Sequence, residues 1–293
     1  MMQSSISLEC PAKLNLFLEI LGRRADGYHE LATVMVPVDL ADRLEVRKAR
    51  GFSLEVRGAR LEGTNTVEKA WRAVRRRRRI PGARARLLKR IPAGSGLGGG
   101  SSDAAAMIEA LDRLYRIDLP LDRVAAEVGS DVPFFLARGP ALCTGRGERV
   151  AALSGFPRIH AVVAWPRLPL STREVYRHAR EFLTPRPRNV IDFLNSVALE
   201  GPAGLDRELF NRLEAPALAL RPELRRLRDA LGQLPFRAVR MTGSGSAFFG
   251  LCGARREAEV LARRVGRETG AFAAPVSSVS REAPWRSPKS ASS

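Results

Sequence analysis

Five glycines and three serines stand within sixteen residues, "IPAGSGLGGGSSDAAA" from Ile91 to Ala106, between a hydrophobic run and an alanine-rich helix start. Backbone this bare serves phosphate chemistry, dinucleotide binding or a plain linker. Gly94, Gly96 and Gly99 satisfy G-x-G-x-x-G, but a dinucleotide fold also needs a parallel strand and an acid about 20 residues on. Asp118 stands near that distance, inside "RIDLPLDR", which is a poor strand. No Lys-Ser or Lys-Thr follows the glycines, so the ATP-binding P-loop is excluded. A loop from Pro92 to Gly100 that empties into a helix offers another solution, because free N–H groups and the positive dipole end hold phosphates there. Ser101 and Ser102 then sit in or next to the first turn, able to donate to phosphate oxygens or reach a cation. A flexible linker has a similar composition; the tight fit between a strand and a strong helix argues against it.

Other residues carry chemistry only in combination. "AKLNLFLEI" alternates from Ala12 to Ile20, which puts Lys13 and Asn15 side by side on the non-aliphatic face of a strand. Alone, Lys13 is an exposed strand cation and Asn15 a satisfied strand-end amide. Asp131, in "SDVP", is ordinary turn or cap chemistry. Tyr28 and His29 follow an Asp-Gly turn in "DGYH", and Tyr176 lies four positions from Thr172 on an amphipathic helix, where burial is the default. Thr242 to Ser246, "TGSGS", reads as a hairpin between two strands.

The elements that must hold these residues follow from periodicity. "ATVMVPVDL", "DRLEVRKA" and "GFSLEVRGA" read as three more strands, giving a β-rich meander at the N-terminus. "TNTVEKAWRAVRRRRR" spaces Val67, Ala70, Trp71 and Val74 as a helix, with Thr64 or Asn65 as cap and the Arg75 to Arg79 run at the C-terminal dipole. "ARARLLKRI" is a strand leading into the glycine loop, and Ala104, Met107, Ile108, Leu111, Leu114 and Tyr115 mark the helix after it. "LDRVAAEVG" is a short helix, and "SDVPFFLARGPALCTGRGERV" runs from a tight loop into strand and turn. Beyond a Gly155 to Pro157 junction come strand "IHAVVAWP", helices "STREVYRHAREFL", "NVIDFLNSVALEG", "DRELFNRLEAPALAL" and "PELRRLRDALGQL", two strands around "GSGS", and a helix from about Arg255 to Thr269.

Composition narrows the function classes. A chain of 293 residues with 45% hydrophobic content buries a substantial core. The net charge of +18 would attract nucleic acid or polyanionic metabolites. The excess arginine is spread along the whole chain, however, and no helix-turn-helix, zinc-finger or aromatic RNA-binding signature accompanies it. Cys10, Cys143 and Cys252 are odd in number and far apart, which argues against disulfides and metal clusters and fits a reducing cytoplasm. Three histidines without clustered partners make His29 a poor metal ligand. No apolar run approaches the roughly 20 residues that span a bilayer, so neither membrane nor nucleic acid is expected as a partner.

At "PAGSGLGGGSSDAA" the sequence resembles the ATP-phosphate motif of the GHMP kinases, in the form "GLGGGSSDAA" typical of one branch. "CPAKLNLFLEILGRRADGYHEL" and "SDVPFFL" resemble that branch as well, and "RMTGSGSAFFG" is similar to the family's C-terminal motif; four motifs in order cover nearly the whole chain. The resemblance implies an α+β, two-domain fold with its active site in the cleft: an N-terminal ribosomal-protein-S5-like α/β domain over residues 1–157 that binds ATP, and a C-terminal ferredoxin-like α/β domain over 158–280. Residues 281–293 would form a frayed tail. It further implies a monomeric or weakly dimeric kinase using ATP and Mg2+, whose acceptor in this branch is the 2-hydroxyl of a cytidine diphosphate-linked methylerythritol in isoprenoid precursor synthesis.

By the same resemblance Asp131 accepts the hydroxyl proton, Lys13 lowers the hydroxyl's pKa and steadies the γ-phosphate, and Asn15 holds substrate or orients the catalytic groups. Pro92, Ala93, Gly94, Ser95, Gly96, Leu97, Gly98, Gly99, Gly100, Ser101 and Ser102 cradle the triphosphate, with Asn65 and Lys89 near the adenine. Tyr28 packs on the cytosine, His29 reads its edge, Tyr176 supplies the second face, and Thr172 and Gly243 approach the substrate. No protein metal ligands are assigned. Two rivals remain: another small-alcohol kinase of the family, which has no base to stack, and a basic nucleic-acid-binding protein built on the ribosomal-type module. Two departures stand out. Arg212 in "FNRLE" replaces an acid the family often carries, and the Arg run lies between Asn65 and Lys89, at the edge of the adenine pocket.

Overall fold

The computed structural model describes residues 5–59 and 65–279; the candidate cap Thr64 and the tail 281–293 lie outside the described residues. Strand β1 (Ser5–Arg23) turns at Asp26–Gly27 and runs back as β2 (His29–Lys48) in one antiparallel pair. The sequence reads β2 as two strands, split at "DLAD". Asp39 and Leu40 are in fact a bulge between the pairs Pro11↔Ala41 and Ala12↔Val38, so the polar break interrupts a continuous strand. Nor is the region a simple meander: β3 (Ser53–Arg57) crosses over through α1 (Thr66–Arg77) to lie parallel to β4 (Ala83–Leu88). Asn65 caps α1, its side-chain oxygen accepting from the Val67 N–H at 2.8 Å, and Arg75, Arg76 and Arg77 occupy the last turn.

The glycine loop follows β4 and opens α2 (Gly99–Tyr115); α3 (Leu121–Val128) and α4 (Val132–Ala137) complete the layer behind the sheet. Helix α4 was not expected from sequence. Six residues are too few to show a helical period, and "VPFF" folds because Pro133 suits a first turn while Phe134 and Phe135 bury against α2. Then β5 (Ala141–Gly145) pairs with the first part of β2 and with β6 (Arg149–Ala152), while β4 takes the second part of β2.

The remainder builds a four-stranded antiparallel sheet ordered β11-β7-β10-β9. Its elements in chain order are β7 (His160–Trp165), α5 (Thr172–His178) with a 3-10 turn to Phe182, α6 (Val190–Glu200), α7 (Pro202–Glu208), β8 (Phe210–Asn211), α8 (Glu214–Leu220), α9 (Leu224–Gly232), β9 (Val239–Met241), β10 (Phe248–Cys252), α10 (Arg255–Thr269) and β11 (Phe272–Ser277). "DRELFNRLEAPALAL" is therefore not one helix. Phe210 and Asn211 are drawn straight to pair in parallel with Phe17 and Leu18 of β1, which welds this segment to the first sheet. Strand β11, also unexpected, carries Pro275 and sits at the sheet edge, where a missing N–H costs no ladder bond.

Of the three buried clusters, one lies between the first sheet and α1 to α4, one mostly within the second half but reaching Leu18, Ile20 and Leu31 of the first sheet, and one between the two sheets, where Leu14, Leu16, Val34 and Val36 meet Val163, Phe249 and Leu251. That interface buries the aliphatic face of β1 that carries Ala12, Leu14 and Leu16. A register shift after Asn15 turns Phe17 into it, against Phe193 at 5.4 Å and Phe210 at 5.8 Å between ring centroids. No helix among the described residues is long and apolar enough to cross a membrane.

Candidate active site

The glycine loop is locked in place before any ligand arrives. The Lys13 N–H donates to Leu97 O at 2.9 Å, fastening the loop to β1. On its other side the Ala247 N–H donates to Ser95 O at 3.0 Å and the Leu170 N–H to Gly94 O at 3.3 Å, fastening it to the second half of the chain. Gly96 lies so close to the Thr242–Ser246 turn that a Cβ there would stand 2.5 Å from Thr242 O. Gly98, at φ +76°, takes the left-handed geometry that starts α2. The Ser101 and Ser102 N–H groups return to Gly98 O at 3.0 Å, while those of Gly99 and Gly100 have no acceptor among the described residues. Two free amides at the positive end of a 17-residue helix make an anion seat.

The loop forms one wall of a cleft of about 1100 Å³. Every sequence-derived site residue lines this cleft except Ser102: Lys13, Asn15, Tyr28, His29, Asn65, Lys89, Pro92 through Ser101, Asp131, Thr172, Tyr176 and Gly243. Ser102 is buried on another side of α2.

Lys13 is not the exposed strand cation its context suggests; it is buried, with its ammonium on Asn15 Oδ1. Burial lowers its pKa from the ordinary 10.5 to about 8, and the Asp131 carboxylate opposes that fall. The amine is thus mostly charged at pH 7 but carries a desolvation cost that a further anion would offset. Asn15 is held by its own N–H donating to Thr242 Oγ1 at 3.0 Å and its Nδ2 donating to Thr33 Oγ1 at 2.9 Å. Gly243 closes over the pair. At φ +58°, a Cβ on it would stand 2.8 Å from Lys13 Nζ. Asp131 sits immediately before α4, with Gly147 near enough that a Cβ there would lie 3.4 Å from its Oδ1.

At the other end of the cleft the His29 and Tyr176 rings stack at 5.3 Å and 27°, and the Arg146 guanidinium covers the half-exposed Tyr28 ring at 4.8 Å. Burial, with Arg180 and Arg23 nearby, depresses the His29 pKa, so this imidazole is neutral at pH 7 and offers one donor and one acceptor edge. Burial, and then Asp131, raises the Tyr176 phenol pKa, which keeps it a neutral ring. Thr172 Oγ1 pairs with Ser244 Oγ at 2.8 Å, tying α5 to the "TGSGS" turn.

Residues missed by sequence reasoning, Asp42, Asp103, Asn211 and Glu19 among them, position these groups. Lys89 lies under the loop with its ammonium on Asp42 and, at 2.6 Å, on Asp103 Oδ2; the other Asp42 oxygen accepts from the Ile91 N–H at 2.8 Å. This buried triad joins β2, the end of β4 and α2, and desolvation raises the Asp103 pKa to about 7. Asn211 donates through Nδ2 to Met241 O and Gly243 O, both at 2.8 Å, and so fixes the turn over Lys13. Arg212 finds its counter-charge in Glu19, both bonds at 2.7 Å, with Glu19 also accepting from the Arg188 N–H at 2.8 Å. Its acid lies 193 residues away in sequence, and no local signal could reveal it.

Comparison with known proteins gives this architecture a class. Residues 65–139 match the GHMP kinases N terminal domain and residues 197–271 the GHMP kinases C terminal domain. A solved structure described as 4-(cytidine 5'-diphospho)-2C-methyl-D-erythritol kinase superposes with a TM-score of 0.78 at 38% identity, covering 93% of this chain and 98% of that one. The 4-diphosphocytidyl-2-C-methyl-D-erythritol kinase of Thermus thermophilus is 42% identical over 86% of this chain and 90% of its own length, and that of Carboxydothermus hydrogenoformans 39% over 82% and 86%. The chain belongs to the GHMP kinases, in the 4-diphosphocytidyl-2-C-methyl-D-erythritol kinase branch.

Proposed function

We infer that the protein transfers the γ-phosphoryl group of ATP to the 2-hydroxyl of 4-diphosphocytidyl-2-C-methyl-D-erythritol, giving the 2-phosphate in the non-mevalonate route to isoprenoid precursors. One observation carries the reading: a single cleft joins a braced glycine loop, Lys13 with Asp131, and an aromatic end of Tyr28, His29 and Tyr176. The Gly99 and Gly100 N–H groups and the Ser101 hydroxyl receive the phosphates. The Lys13 ammonium, whose buried charge the γ-phosphate offsets, steadies that phosphate and lowers the acceptor hydroxyl's pKa. Asp131 takes the hydroxyl proton during in-line attack. Tyr28, His29 and Tyr176 hold the cytosine, and Thr172 and Gly243 border the alcohol.

Mg2+ fits as a companion of the nucleotide. Among the described residues no cluster of three His, Cys, Asp or Glu could hold a bare ion. Mg2+ characteristically rides on substrate phosphates with one or two protein oxygens. Ser101 and Asp103, whose Oδ1 is buried without a partner, are the cleft-lining oxygens that would hold it. When bound, the ion neutralises charge on the β- and γ-phosphates.

We place the division between the ATP-binding and substrate-completing units at residues 157/158, between β6 and β7, with a second unit over 158–280. The three buried, unpaired cysteines suit a reducing cytoplasm, and a monomer or weak homodimer suffices because one chain supplies the whole cleft. The test is ADP release in a coupled assay with and without the cytidyl alcohol, with homoserine and mevalonate as competing acceptors. Release that depends on the cytidyl alcohol is expected. Its absence sinks the assignment, and full turnover by Asp131→Ala sinks the proton-acceptor role.

A further inference from the structure

A second cavity, of about 270 Å³, lies between β1, β2, α2 and α4, and it shares no lining residue with the cleft. Its walls are mostly apolar, among them Leu8, Pro11, Ala106 and Phe134. Two polar donors interrupt them. Ser102 is buried with its Oγ unpartnered, and the Arg138 Nε is likewise buried and unpartnered, although that guanidinium holds Glu109 through Nη2. Buried donors are normally paired, and an unmade bond costs the full desolvation of the group. Among the described residues six buried side-chain polar atoms lack a partner, and two of them belong to residues lining this one cavity.

We propose that this cavity is a second ligand site, for a small, mainly apolar, uncharged molecule carrying one hydrogen-bond acceptor such as a carbonyl. Size supports it, since cavities of about 150 Å³ lined by apolar groups admit a benzene-sized ring. The acceptor would take the Ser102 hydroxyl and the Arg138 Nε–H, and the apolar body would lie along α2, where Ala105 and Ala106 leave the wall bare. Charge selects a neutral ligand. Glu109 is already shared by Arg113 and Arg138, and Asp39 by Arg255, while the third lining carboxylate, Glu9, is exposed to solvent and screened, so the surroundings favour an anion least and a cation only weakly. The site is independent of the reaction assigned to the cleft.

The experiment uses the full chain with a non-hydrolysable ATP analogue filling the cleft, and acetophenone as probe, followed by backbone amide NMR. Saturable shifts at Ala105, Ala106, Phe135 and Arg138 are expected, with ethylbenzene, which lacks the acceptor, binding about fivefold or more weakly. Ala106→Leu fills the cavity and should abolish the shifts while analogue binding persists; Ala41→Leu, from the β2 wall, serves if the first variant fails to fold. No saturable shifts, shifts confined to cleft residues, equal binding of ethylbenzene, or binding unchanged in the variants would each overturn the proposal.

Discussion

Replacing Lys13 by Met should destroy turnover and make the protein more stable near neutral pH. Burial lowers the Lys13 pKa from 10.5 to about 8. A base with a depressed folded-state pKa costs stability while it is charged in both states. The penalty is therefore full below pH 8 and is relieved as pH rises from about 8 to 10.5. By linkage it amounts to about 3 kcal/mol at pH 7 and about 1.4 kcal/mol at pH 9.5. Methionine escapes the penalty but forfeits the bond to Asn15, worth about 1 kcal/mol. The net gain is then about 2 kcal/mol at pH 7 and near zero at pH 9.5. Urea unfolding of both proteins at the two pH values measures it, and the wild-type-to-variant difference cancels the titrating groups that Lys13 does not touch. A variant less stable at pH 7, or a difference that does not shrink by about 2 kcal/mol at pH 9.5, would refute the claim that desolvation dominates this lysine.

The other expected outcomes concern the parts around it. Tyr176→Ala should raise KM for the cytidyl alcohol about 5- to 150-fold, the value of one base–aromatic stack, with KM for ATP unchanged and Tyr176→Phe near wild type in steady-state assays. Gly243→Ala, at φ +58° and with a Cβ 2.8 Å from both Gly96 O and Lys13 Nζ, should cut kcat at least about tenfold, whereas alanine at solvent-open Gly155 costs only its backbone strain. Arg212→Ala should lose about 3–5 kcal/mol in urea unfolding because it strands the buried Glu19 carboxylate, and a Glu19→Gln/Arg212→Ala double variant should recover part of that loss.

What the sequence reveals and what it hides divide along one physical line, the separation in chain between partners. The phosphate seat was legible because its parts are contiguous: bare loop, helix start and serines all lie between Pro92 and Ser102. Lys13 and Asn15 were legible as neighbours because a strand's period of two is local. The second covering of β1 was not, since Phe193, Phe210 and Phe249 arrive from well over a hundred residues away and the bulge after Asn15 breaks the alternation that would announce it. Strand β8 shows the same limit. Two residues inside a helical pattern are pulled straight by a partner in β1, and tertiary pairing overrides local propensity.

That distant segment also explains why the site tolerates an unstable lysine. Asn211, the second of the two residues by which β8 pairs with β1, holds Gly243 over Lys13, and the next residue, Arg212, is anchored by Glu19 of the strand that carries Lys13. The cover and the lysine are thus fixed to one another through a buried ion pair rather than through the cleft itself. A rigid lid keeps water from Lys13 and so keeps its pKa low. In the empty cleft this is a cost to the fold. When a phosphate enters, the same dry setting makes each charge–charge contact stronger than it would be in solvent, so the binding of the anion returns what folding spent. Loosening the lid at Asn211, by Asn211→Ala, should then let the Lys13 pKa climb back toward 10.5 while turnover falls, a pair of changes readable by NMR titration of the lysine side chain and by the coupled assay. A fall in turnover with the Lys13 pKa still near 8 would show that Asn211 places the turn without controlling its dryness.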